Sequence, residues 1–229
     1  NEQKNLLLAI VASLIILLIF QYLFPTEKKI VSEDNKKNLE FEKVEKNTPA
    51  LSREEVIKSS ERVYFSSKSR LIGSISLKGL RFDDIILNDY KKTILSDSKK
   101  VKILSPNRTD FPYFVELGWM SQENVYLPQR DSIWELIDGK ELGPGSPVTF
   151  KWSSPDKLDF IRKISLDENY LFKIEQKVIN KSEKKYNITQ YGRINRSGTP
   201  KTSGFYILHE GPIAVLNERL IEIDYDDLI

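Results

Sequence analysis

The side chains able to do chemistry are scattered along this chain, and each set has a reactive and a plain reading. His209, in Leu208-His209-Glu210-Gly211-Pro212, could act as a general base with Glu210 beside it. Neighbours on a strand point to opposite faces, so the two would not cooperate directly, and a strand-end histidine before a turn is expected. Glu135, Asp138, Glu141, Asp156 and Asp159 could supply the two facing acids that glycoside hydrolysis needs. They sit among Gly and Pro, and the expectation is solvated loop acids. Asp83-Asp84 and the trio Asp224, Asp226 and Asp227 could hold a divalent cation, but no EF-hand spacing is present and surface acids are expected. Trp119, Trp134 and Trp152 could stack on a sugar. Two of them fall on strand faces assigned to a core, which leaves Trp134 as the one candidate platform. The sequons at Asn107, Asn180, Asn187 and Asn195 would matter only in a eukaryotic secretory chain, and chance explains them.

No phosphate loop, nucleophile elbow or zinc pattern occurs. The chain has no Cys and a single His, which removes thiolate chemistry, disulfides and any His-rich metal site. A formal net charge of +2 over 229 residues leaves no electrostatic footprint for nucleic acid. No catalytic, cofactor-binding or metal-binding residue is therefore assigned, no cofactor is expected, and binding residues stay unknown.

The elements that would position these groups begin with an uninterrupted apolar run, Leu6 to Phe24, in which only Ser13 and Gln21 are clearly polar. At about 1.5 Å per residue such a helix spans roughly 28 Å, close to the hydrocarbon thickness of a bilayer. It lacks the polar face of a soluble helix. The run ends in Gln21-Tyr22-Leu23-Phe24-Pro25, where a cleaved secretory signal would carry small residues. An uncleaved transmembrane anchor over residues 1–25 is expected. Lys4 before the run and Lys28 and Lys29 after it do not decide its orientation. A short N-terminus normally stays inside while a long domain translocates, which places the domain outside.

Residues 26–50 read as a flexible charged linker, too poor in apolar residues to offset its ordering entropy. Ser52-Arg53-Glu54-Glu55 matches a capping box opening a short helix to about Ser60. From Val63 the period becomes two. Leu71, Gly73, Ile75 and Leu77 alternate with Ile72, Ser74, Ser76 and Lys78, and Tyr113, Val115, Leu117 and Trp119 line one face. So do Val148, Phe150 and Trp152; Tyr170, Phe172, Ile174 and Val178; Tyr186, Ile188 and Ile194; and Ile221, Ile223 and Tyr225. Such alternation marks antiparallel sheets with one wet face. Turn signals separate the strands, and Leu158 to Ile179 reads as a hairpin around Asp167–Asn169. The expected fold is one N-terminal transmembrane α-helix followed by a mainly-β antiparallel sandwich over residues 51–229.

Several blocks carry a family resemblance. The opening Asn1-Glu2-Gln3-Lys4-Asn5-Leu6-Leu7-Leu8-Ala9-Ile10 resembles that of the bacterial YidC membrane protein insertases. So do Leu71 to Asp84, Leu104-Ser105-Pro106, Pro112 to Trp119, Ser146 to Trp152 and Gly204 to Ile213. The resemblance covers nearly the whole chain in the family's order, with the linker its loosest part. It implies a cytoplasmic N-terminus in the bacterial inner membrane and a periplasmic β-supersandwich similar to mutarotase-like domains. It also implies a cofactor-free role in inserting inner-membrane proteins, alone or with the Sec translocon. In that family more of the domain and then a five-helix membrane core follow, and the core holds the hydrophilic groove. The resemblance thus makes these residues a fragment whose partners are the lipid bilayer, Sec components and, through the missing half, nascent membrane proteins.

Two other readings stand beside it. A membrane-anchored carbohydrate-binding module would rest on the sandwich pattern and Trp134, and glycan binding lost in Trp134→Ala would support it. A structural protein with one membrane span and no ligand is the third.

Overall fold

The computed structural model describes residues 3–5, 13–14, 50–200 and 209–228. Apart from residues 3–5, 13–14 and 50, the expected anchor and linker lie outside these. Among the described residues no helix is long and apolar enough to cross a membrane.

The domain opens with α1 (Arg53–Lys58). Its capping box forms as expected: the Glu55 N–H donates to the Ser52 hydroxyl and the Ser52 N–H donates back to the Glu55 carboxylate. The helix stops at Lys58, slightly before Ser60, because Ser59 turns to cap Val56 with both its N–H and its hydroxyl. None of its residues is buried, so a helix this short draws its stability from its cap and its contacts with the sheet behind it.

Twelve strands follow: β1 (Arg62–Tyr64), β2 (Leu71–Ser76), β3 (Arg81–Lys91), β4 (Lys100–Leu104), β5 (Tyr113–Met120), β6 (Glu135–Asp138), β7 (Val148–Ser153), β8 (Leu158–Leu166), β9 (Phe172–Asn180), β10 (Thr189–Arg196), β11 (Ile213–Leu216) and β12 (Arg219–Glu222). A six-stranded sheet has the order β1-β2-β3-β5-β10, with β4 also paired to β3, and a four-stranded sheet runs β6-β7-β8-β9. β11 and β12 form a separate hairpin. The strand pairs are all antiparallel, as the alternation predicts.

The two larger sheets share one core. Trp119 on β5 meets Phe160 on β8 edge-on at 5.0 Å, and Phe82 on β3 meets Phe172 on β9 at 5.5 Å. Phe150, Phe160, Ile164 and Val148 are fully buried between them. Burying each such side chain contributes about 1.5–3 kcal/mol. The β8–β9 hairpin turns where its sequence indicates, because the Asp167 carboxylate accepts the N–H groups of Asn169 and Leu171.

Three departures from the simple alternation have physical causes. Ser74 and Ser76, expected on the wet face of β2, are buried. The register slips between Ser74 and Ile75, so Asp83 is an extra residue on β3 and the bulge brings polar groups under cover. Ile194, expected in the core, is 64% exposed. It pairs with Val115 on the last strand of its sheet, and among the described residues nothing covers it there. The β11–β12 hairpin likewise leaves Ile213, Val215 and Leu220 exposed.

Candidate functional site

The outer face of the six-stranded sheet carries the densest polar constellation. Glu116 lies on β5 between Val115 and Leu117, which pack towards the core, so its side chain points to the opposite face. There it is buried, and three arginines meet it. Arg81 approaches Oε1 at 2.6 Å, Arg193 donates to Oε2 from the neighbouring β10, and Arg130 lies 4.0 Å from Oε2. Arg193 is the direct register partner of Glu116. The Arg81 guanidinium also covers the Phe114 ring at 4.8 Å, two residues along the same face.

A second knot forms at the β2–β3 bulge. Arg62 pairs with Asp83 and donates to the Ser74 hydroxyl at 2.7 Å, while that hydroxyl donates to Asp84 at 2.9 Å. Arg53 of α1 reaches Asp84 with Nε at 2.8 Å and with Nη2. Burial pushes the Asp83 carboxyl above its ordinary range, and Arg62 pulls it back. Asp83 and Asp84 are therefore not the expected surface acids. They are buried because arginines from α1 and β1 neutralise them.

The remaining candidates do not gather. Glu135 and Asp138 lie on β6 rather than in a loop, and they are exposed. Asp156 accepts the Tyr126 N–H at 2.7 Å, in a turn. Asp159 corrects the loop-acid reading: it is buried on β8, taking Lys181 at 2.5 Å, the Ser153 hydroxyl at 2.7 Å and Lys151 at 3.3 Å. Lys181 above all, with Ser153 and Lys151, lowers its pKa to about 2. A carboxylate held by cations is a poor proton acceptor, because protonation would break the ion pairs. His209 faces Asp224 at 3.1 Å. Among the described residues no group of three or more His, Asp or Glu is placed to hold a metal ion.

Trp134 is the clearest correction. It is 2% exposed, stacked on Trp119 at 5.9 Å, and its backbone N–H donates to the Leu77 carbonyl. A ring inside the core cannot face a sugar, and the carbohydrate platform falls with it. Sequence reasoning passed over the residue beside this stack, Arg162. It is fully buried on β8 with its guanidinium 5.0 Å from the Trp119 ring and 5.1 Å from the Trp134 ring. It donates to the Leu117 carbonyl at 2.8 Å and to Gln176 at 3.0 Å, while Nη1 has no hydrogen-bond partner. Burial lowers its pKa to about 9. Only an arginine interrupting the alternation of β8 signals it.

Two concave surfaces among the described residues stay open to a ligand. A groove of about 750 Å³ runs past Leu51, Lys92, Lys102, Phe111 and Arg196. A mouth of about 410 Å³ between the sheets is lined by Trp119, Leu158, Val178, Tyr186 and Ile188.

Residues 67–229 match the family model described as the YidC periplasmic domain. The chain is 36% identical over 236 residues to the membrane protein insertase YidC of Pelagibacter ubique, covering 99% of this chain and 42% of that protein. It is 40% identical over 236 residues to the same-named protein of Rickettsia canadensis and 41% identical over 238 residues to that of Rickettsia felis. Each of these matches takes in 100% of this chain and 42% of the relative. The chain thus spans less than half the length of the relatives it matches.

Proposed function

Because this chain belongs to the YidC family of membrane protein insertases, we propose that it is the N-terminal part of such an insertase, one that anchors the protein and presents a periplasmic domain. Residues 1–25 form the single transmembrane helix with a cytoplasmic N-terminus, residues 26–50 the charged linker, and residues 51–229 a domain of the β-supersandwich, mutarotase-like type. The whole-chain identity to insertases, over less than half their length, carries this reading. The site geometry supports it: the buried carboxylates Glu116, Asp83, Asp84 and Asp159 are all bound by Arg or Lys.

Insertion itself belongs to a hydrophilic groove in the half of the protein beyond these residues. That groove lowers the cost of moving polar segments through hydrocarbon. The periplasmic domain contributes partner contact, with components of the Sec translocon as the partners. Photo-crosslinkers placed around the domain's exposed surface, in membranes that contain the translocon, test this. Adducts with Sec components are expected, and a surface that yields none overturns the partner assignment.

A further inference from the structure

The hairpin that joins β3 to β4 presents its apolar residues outward. Ile94 at its tip is 103% exposed and Leu95 is 63% exposed. The tip is built rather than frayed. The Lys92 N–H donates to the Lys99 carbonyl, the Ser98 N–H to the Leu95 carbonyl, and the Lys91 ammonium to the Ser96 carbonyl at 2.6 Å. Around it stand Lys91, Lys92, Lys99, Lys100 and Lys102, all exposed, against two acids: Asp97 at the tip, and Asp89 on β3, which Arg70 pairs. Two bare aliphatic side chains inside a lysine collar cost solubility in water. They match a surface that offers hydrocarbon beneath a layer of negative charge.

The neighbouring surface continues the pattern. Lys92, Lys102 and Ile103 form one bank of the 750 Å³ groove, and Phe111, 77% exposed, lies in it as well. Leu51, next to the point where the chain comes in from the proposed anchor, lines the same groove. The basic, apolar side of the domain is therefore the side to which the preceding chain attaches.

We propose that the β3–β4 hairpin is a membrane-contact element. Ile94 and Leu95 enter the interfacial region of the bilayer while the lysine collar binds anionic headgroups, which sets the domain's orientation over the membrane. The proposal rests on the anchored reading above. Each lysine near an anionic surface adds to the attraction, and salt screens it.

The absence of Cys makes the test direct. The 229-residue chain, as Leu95→Cys or as Ile133→Cys, carries an environment-sensitive dye and is reconstituted into phosphatidylcholine vesicles with or without phosphatidylglycerol. Position 133 is exposed and bridges Lys78, at the far end of β3 from the tip. A lipid-borne quencher should quench the dye at 95 about threefold more than at 133 on anionic vesicles. The difference should vanish in about 1 M salt or with Lys92→Glu, Lys99→Glu and Lys100→Glu combined. Equal quenching at both positions on both vesicles, from a chain that floats with them, overturns the hairpin contact alone. A chain that does not float with either vesicle overturns the anchored reading and the contact together.

Discussion

Arg162 on β8 donates a 2.8 Å hydrogen bond to the Leu117 carbonyl on β5, so a guanidinium ties the two sheets through the middle of their shared core. It stands against two tryptophan rings and has no carboxylate partner among its hydrogen bonds. Arg162→Ala removes this tie and leaves a cavity under Trp119 and Trp134. The expected loss is about 3 kcal/mol, read from urea unfolding by tryptophan fluorescence. A loss under about 1 kcal/mol would show that the core closes without it.

Glu116 should be as hard to replace for the opposite reason. Glu116→Ala leaves Arg81 and Arg193 facing each other without their shared anion. An uncompensated buried charge costs about 3–5 kcal/mol. Replacing Lys173 or Glu175, an exposed ion pair on β9, should leave stability nearly unchanged in the same unfolding assay, because solvent and salt screen such a pair.

Asp159 sets an acid limit. Its pKa is lowered in the fold to about 2 from an ordinary value of 3.8. Its contribution is present above pH 4 and is lost as pH falls towards 2. With Lys181 largely in water, the contribution is about 1 kcal/mol after screening. Asp159→Asn should be less stable than the parent at pH 6 and level with it near pH 2. A constant gap across that range would contradict the assignment.

Gly73 is fixed by the bulge. Its φ of +132° is strained for an L side chain, and a Cβ there would strike the Asp84 carbonyl oxygen. Gly73→Ala should lower stability by about 3 kcal/mol or more. Gly198, with open space around it, should tolerate Ala at a cost of about 1 kcal/mol from its positive φ. Thermal melts of the two variants separate these outcomes.

Local signals were the legible part of the sequence. The capping box at Ser52–Glu55, the turn at Asp167–Asn169 and the two-residue period of β5, β7 and β9 each sit within a few neighbouring residues. The illegible part depended on pairing across the chain. Asp83 and Asp84 look like surface acids until the bulge opposite Ser74 buries them against Arg62 and Arg53. Glu116 alternates correctly as a wet-face residue, and groups distant in sequence, among them Arg81, Arg130 and Arg193, cover that face. Trp134 precedes β6 in a loop, where nothing local announces that it stacks on Trp119. The family was legible through whole blocks of residues rather than through a chemical motif.

The most direct test of the proposed role is client insertion in proteoliposomes, comparing the 229-residue chain with the same chain extended to the length of its insertase relatives. The extended protein should insert a client membrane protein, while the 229-residue chain, embedded to the same density, should stay at the level of empty liposomes. Insertion by the 229-residue chain alone would contradict the assignment of these residues to anchoring and contact.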